Sequence, residues 1–128
     1  MLFRSNDNFG KWKADFKATV RSVESTSESG KQIIDLLRPD EEDYHVLKPQ
    51  RSAFFSTPLQ LLLKTMEIKS LIITGVTTDM CVLFTAHDAY MRGFHIHVPS
   101  DCTAAIENNH HANALDLLAR SADANISP

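Results

Sequence analysis

The sequence predicts an α/β protein with a mostly parallel sheet and crossover helices, on three observations. From residue 44 onward, short β-rich runs alternate with helical stretches. One run, Leu71-Ile72-Ile73-Thr74-Gly75-Val76, is nearly continuous in apolar residues, the pattern of a strand buried on both faces. And 128 residues with 43% hydrophobic and 23% charged side chains have the length and composition of one globular domain. Residues 1–128 are read as that single domain.

The elements follow in order. Leu2 to Asp7 has the look of a strand end. Phe9, Trp12, Phe16, Val20 and Val23 recur at spacings of three and four, one face of a helix. Ser22–Gly30 is rich in Ser, which competes for backbone hydrogen bonds, and is expected to loop. Ile33, Ile34, Leu36 and Leu37 suggest a short helix ended by Pro39. Asp40 to Asp43 reads as a solvated acidic turn. Tyr44 to Lys48 is expected as a short strand stopped by Pro49. Thr57 as N-cap and Pro58 at the first helical position open a helix carrying Leu59, Leu62, Leu63 and Met66. After the apolar strand, Thr77-Thr78-Asp79 forms a turn and cap. A helix then runs from about Met80 to Arg92 and ends at Gly93. Phe94 to Val98 is a strand with His95 and His97 opposite Phe94, Ile96 and Val98. A last helix covers Asn113 to Arg120.

Composition removes several classes of function. Thirteen Lys+Arg against 16 Asp+Glu give a net charge of -3, which argues against a nucleic-acid surface. No apolar run approaches the ~20 residues that span a bilayer, so no membrane partner is expected. The opening residues carry no signal-peptide pattern. Two cysteines, Cys81 and Cys102, without a C-x-x-C spacing, fit reduced thiols in a cytoplasmic protein.

Ligands of open α/β sheets bind beyond the carboxyl ends of the strands. That rule selects Lys48, Gly75–Asp79 with Cys81, and Ser100–Cys102. Cys81 falls in the first turn of a helix that springs from a strand. Backbone N–H groups and the helix dipole stabilise a thiolate in such a place, and a bend of this kind presents a nucleophile above a sheet. On composition alone Cys81 reads rather as a small buried apolar residue, and Lys48 as a surface lysine. Cys102 is read as structural. His95, His97, His110 and His111 match no zinc spacing, and His87 is not placed beside Cys81 by a separation of six. No metal and no cofactor are expected.

Taken together, G-V-x-T-D-x-C-V (Gly75 to Val82), K-x-x-x-S-A-F (Lys48 to Phe54) and the VPSDCTA segment make the chain resemble the isochorismatase-like cysteine hydrolases. That family includes nicotinamidases and N-carbamoylsarcosine amidases. The resemblance covers residues 30 to about 120, and NDNFGKW fits one branch. It implies a Rossmann-like three-layer α/β sandwich and an Asp–Lys–Cys triad, with Cys81 as nucleophile and Lys48 as the triad lysine. It further implies a cis Val76–Thr77 bond and an oxyanion hole from the backbone N–H groups of Thr77 and Cys81. Phe54 and Phe55 are candidates to line a substrate pocket. The implied reaction is cleavage of a small amide-like substrate through a thioester, in a homo-oligomer. The family's opening strand, which carries the triad Asp, and the helix after it have no counterpart in residues 1–128, so the sequence reads as an N-terminally truncated member. The alternative reading is a non-catalytic binding or assembly protein that keeps the family shell. A thiol-based redox protein is a third.

Overall fold

The computed structural model describes residues 25, 28–37 and 40–128. The strand end over Leu2–Asp7 and the helix expected over 9–23 lie outside the described residues. Two compact units divide the chain, Met1–His45 and Val46–Pro128.

In the first unit, α1 spans Glu28–Leu36. The loop expected over Ser22–Gly30 is therefore helical at its end, with Gly30 inside α1. Glu28 places a carboxylate in the first turn, where the helix dipole favours it, and the good helix formers Lys31 and Gln32 follow. The acidic turn is as expected. Asp40 and Asp43 close it on each other, the Asp40 N–H donating to the Asp43 carboxylate at 2.8 Å, and all four residues face solvent.

The second unit holds the candidate residues. Val46 to Lys48 do not form the expected strand, nor do Tyr44 and His45. A strand needs a partner backbone, and among the described residues none pairs with this stretch. Helix α2 covers Leu59–Thr65. Pro58 precedes its first residue and gives its carbonyl to Leu62 N–H at 3.0 Å, while Thr57 Oγ1 accepts from Leu59 N–H at 3.3 Å.

The single strand expected over 71–76 is two, β1 at Ser70–Ile72 and β2 at Gly75–Val76. β1 runs parallel to β3 (His95–His97), pairing Leu71 with Ile96. β2 runs parallel to β4 (Thr103–Ala104), pairing Gly75 with Thr103. Between these pairings the segment 96–103 spends three residues more than the segment 71–75, and the 3-10 turn Ser100–Cys102 takes them up. Ala124 to Ile126 continues the order beyond β3: Val98 N–H donates to Asn125 at 2.8 Å, and Asn125 N–H to Ile96 at 2.9 Å.

Burial on both faces of the 71–76 run is not what the structure shows. Leu71 and Ile73 pack on the core, whereas Ile72 is 71% and Val76 69% exposed. The side-chain period of two splits the run, because helices cover one face only among the described residues.

That covering layer is α3 (Leu83–Met91) and α4 (Asn108–Ser121). α4 starts five residues earlier than Asn113, so His110 and His111 lie in its first turn. The core joins Val82, Ala86 and Ala89 to Ile96 and Val98 and to Leu115 and Leu118. β3 alternates as expected, Ile96 buried and His95 exposed. α3 ends where Gly93 takes φ +82, a conformation only glycine adopts freely, and Phe94 N–H reaches back to Ala89 at 3.2 Å. Among the described residues, no helix is long and apolar enough to cross a membrane.

Candidate active site

β2 delivers the chain into the candidate site. After Val76 the peptide bond to Thr77 is cis. Thr77 is extended and begins a five-residue π-helical turn, Thr78–Val82, that runs into α3. The side chains of Thr78 and Asp79 do not cap this turn. Its N-cap is Thr77, whose side chain makes no capping bond and whose carbonyl accepts from Met80 N–H at 3.1 Å and Val82 N–H at 3.2 Å. The wide turn carries Cys81 at its fourth position.

Lys48 comes to Cys81 from 33 residues away. Its ammonium donates to Cys81 Sγ at 3.4 Å and to the Gln50 carbonyl at 3.2 Å. Both side chains are partly buried. The contact sets a cationic group directly against the cysteine sulfur.

The loop that bears Lys48 is laced to one stripe that runs from Cys81 along α3. Cys81, Thr85, Asp88 and Arg92 recur at steps of four, three and four, so they share a face. Thr85 Oγ1 accepts from Ala53 N–H at 3.0 Å. Asp88 accepts from the buried Ser52 hydroxyl. Arg92 donates to Asp88 at 2.8 Å and to Gln60 at 3.0 Å, and its guanidinium lies 4.8 Å from the centre of the Phe54 ring. Sequence reasoning missed Ser52, Thr85 and Asp88. For Thr85 and Asp88 the signal was a polar stripe on a helix otherwise rich in apolar residues, and Ser52 stood inside the K-x-x-x-S-A-F string.

The remaining expected residues fall as follows. Phe54 is buried in the core with its ring centre 6.0 Å from that of Phe94, while Phe55 is half exposed. Cys102, read as structural, is an exposed thiol at the end of the 3-10 turn. Partial desolvation and then the Asp101 carboxylate push its thiol up from the ordinary value. His97 Nε2 bonds the Ser127 carbonyl at 2.9 Å, and His87 bonds Leu83 and Ser121. Among the described residues no three His, Cys, Asp or Glu side chains converge as metal ligands.

The isochorismatase domain matches the chain over residues 3–126. An uncharacterized isochorismatase family protein of Bacillus subtilis (strain 168), YaaI, is 42% identical over 113 residues, 88% of this chain and 61% of that protein. The crystal structure of the nicotinamidase SaPncA from Staphylococcus aureus matches with a TM-score of 0.68 at 33% identity, over 79% of this chain and 63% of that one. N-carbamoylsarcosine amidase from Thermoplasma acidophilum matches with a TM-score of 0.65 at 32% identity, over 79% of this chain and 57% of that one. The chain thus spans about three-fifths of the length of these relatives. The likenesses bear out the α/β, Rossmann-like fold class. With the chain matched almost end to end, from residue 3 to residue 126, it belongs to the isochorismatase family.

Proposed function

We propose that the chain is a cysteine hydrolase that cleaves the C–N bond of a small amide-like substrate, with Cys81 as nucleophile and Lys48 as its cationic partner. The observation that carries the reading is the 3.4 Å contact between Lys48 Nζ and Cys81 Sγ at the head of α3. The likeness to a nicotinamidase and to an N-carbamoylsarcosine amidase supports the amide class. The family match over residues 3–126 supports reading the whole chain as one domain of this kind.

In this mechanism the thiolate attacks the substrate carbonyl carbon and forms a tetrahedral oxyanion. The backbone N–H groups of Thr77 and Cys81 are the proposed donors to that oxygen. The C–N bond breaks, and the leaving nitrogen takes up the proton that the thiol shed, departing as ammonia or an amine. Water then attacks the thioester, releases the acid and restores the thiol. Phe55, exposed near Lys48 in sequence, is the better placed of the two phenylalanines to touch substrate, since Phe54 is committed to the core. Homo-oligomeric assembly and a cytoplasmic setting belong to the same proposal. The exposed apolar side chains of Ile72 and Val76 support the first.

The test is ammonia release from a panel of primary amides and carbamoyl compounds, nicotinamide included. Turnover that Cys81→Ser and Lys48→Met each abolish supports the reading. Turnover indifferent to Cys81→Ser, or none across the panel, overturns it, and the second outcome favours the non-catalytic binding protein.

A further inference from the structure

Two adjacent residues of the π-helical turn are held by two adjacent histidines of α4. Thr78 is fully buried, and its hydroxyl lies 2.8 Å from His111 Nδ1. Asp79 Oδ2 lies 3.7 Å from His110 Nδ1. The two contacts differ in kind. The Asp79–His110 pair is long and partly open to water, with the His110 side chain 53% exposed, so it is worth little. The Thr78 hydroxyl has no exposure, and a buried hydroxyl without a partner is costly. This bond is therefore the firm one.

Thr78 stands three residues before Cys81 in a turn that lacks a side-chain cap. Nothing within the turn's own side chains fixes its start. We infer that His111 is a positioning residue: through Thr78 it fixes the π-helical turn so that Cys81 Sγ meets Lys48. The lacing along Thr85 and Asp88 fixes the lysine's side of the contact, and the Thr78–His111 bond fixes the sulfur's side. His111 itself is anchored by its N–H to the Glu107 carbonyl at 3.1 Å, the first bond of α4. A neutral ring offers Nδ1 as a lone-pair acceptor for the threonine hydroxyl or as an N–H donor to it, according to tautomer.

The inference rests on the proposed function only in taking Cys81 as the nucleophile, and its test needs no substrate. Iodoacetamide alkylation of Cys81 and Cys102 is followed separately by mass spectrometry in the full chain at neutral pH, with melting recorded for every variant. Thr78→Val and His111→Leu are each expected to slow Cys81 alkylation by about tenfold, since a misplaced reacting group loses rate steeply, while Cys102 is unchanged. The double variant should be no slower than either single, the signature of one shared interaction. Thr78→Ser keeps the hydroxyl, and His111→Asn sets an amide near the place of Nδ1, so both should restore most of the rate. Unchanged Cys81 alkylation in folded Thr78→Val overturns the inference. So does additive slowing in the double variant, or an equal loss in the two conservative variants. Absence of amide turnover with these alkylation results intact would overturn the hydrolase reading alone.

Discussion

Removing the carboxylate of Asp88 tests whether the loop bearing Lys48 is held by α3. In Asp88→Ala the Ser52 hydroxyl, 7% exposed, loses its acceptor. Leaving a buried group unsatisfied costs about 1–3 kcal/mol. The Asp88–Arg92 ion pair is also lost, but its side chains are 24% and 28% exposed and spaced i,i+4, so its share is about 0.3–0.5 kcal/mol. Alanine's better helix propensity returns about 0.5 kcal/mol. The net expectation is a loss of about 1–3 kcal/mol, or a melting temperature lower by about 3–12 °C for a chain of this size. The assay is thermal unfolding of wild type, Asp88→Ala and Arg92→Ala, with Cys81 alkylation at neutral pH as a second readout. Arg92→Ala keeps the Ser52 acceptor and should cost less in Cys81 reactivity than Asp88→Ala does. A melting temperature within 1 °C of wild type for Asp88→Ala would refute the reasoning. Cys81 alkylation falling further in Arg92→Ala than in Asp88→Ala would do the same, because the ring contact and ion pair, not the serine bond, would then hold the loop.

Two further expectations follow from features of the same unit. The Cys102 thiol is raised by desolvation and by Asp101, so at neutral pH less of it is thiolate than in an ordinary cysteine; its labelling should lag and climb only as pH rises. Asp101→Asn should bring that climb to lower pH, and no change in the profile would count against the carboxylate's role. Leu118 is fully buried in the core, so Leu118→Ala should cost about 2–5 kcal/mol in denaturant unfolding, and a loss below about 1 kcal/mol would mean that the cluster collapses around the gap.

Much of this architecture was legible in local pattern. The alternation from Phe94 to Val98 named its buried face correctly, since Ile96 and Val98 are in the core. Gly93 marked the end of α3, because the chain must turn there through a left-handed conformation. The same reasoning failed where the outcome depends on neighbours distant in sequence. Val46 to Lys48 has strand composition but no paired backbone among the described residues. Ile72 and Val76 are as apolar as Leu71 and Ile73, yet only the latter two meet helices. The candidate site divides in the same way. Cys81 was picked out by its place after a strand, and Lys48 by its place at the end of an expected strand that does not form. Their meeting was implied only by the family resemblance, since no local rule joins residues 33 apart. His111 carried no local mark of its role, and Asp88 only its place in a polar stripe. Each acts through a partner, Thr78 or Ser52, that the chain brings close only when folded.

The lacing between α3 and the lysine loop also bears on which changes of length this protein can absorb. The anchored stripe from Cys81 to Arg92 extends roughly 16 Å at 1.5 Å per residue. Over that distance Lys48, Ala53 and Ser52 meet Cys81, Thr85 and Asp88 in matched register. One residue inserted or deleted between 82 and 87 would rotate everything after it by about 100° and carry Asp88 off the shared face. Substitutions along the outer side of this helix are therefore absorbed one at a time, whereas a single insertion or deletion within it separates the loop's anchors from one another at once.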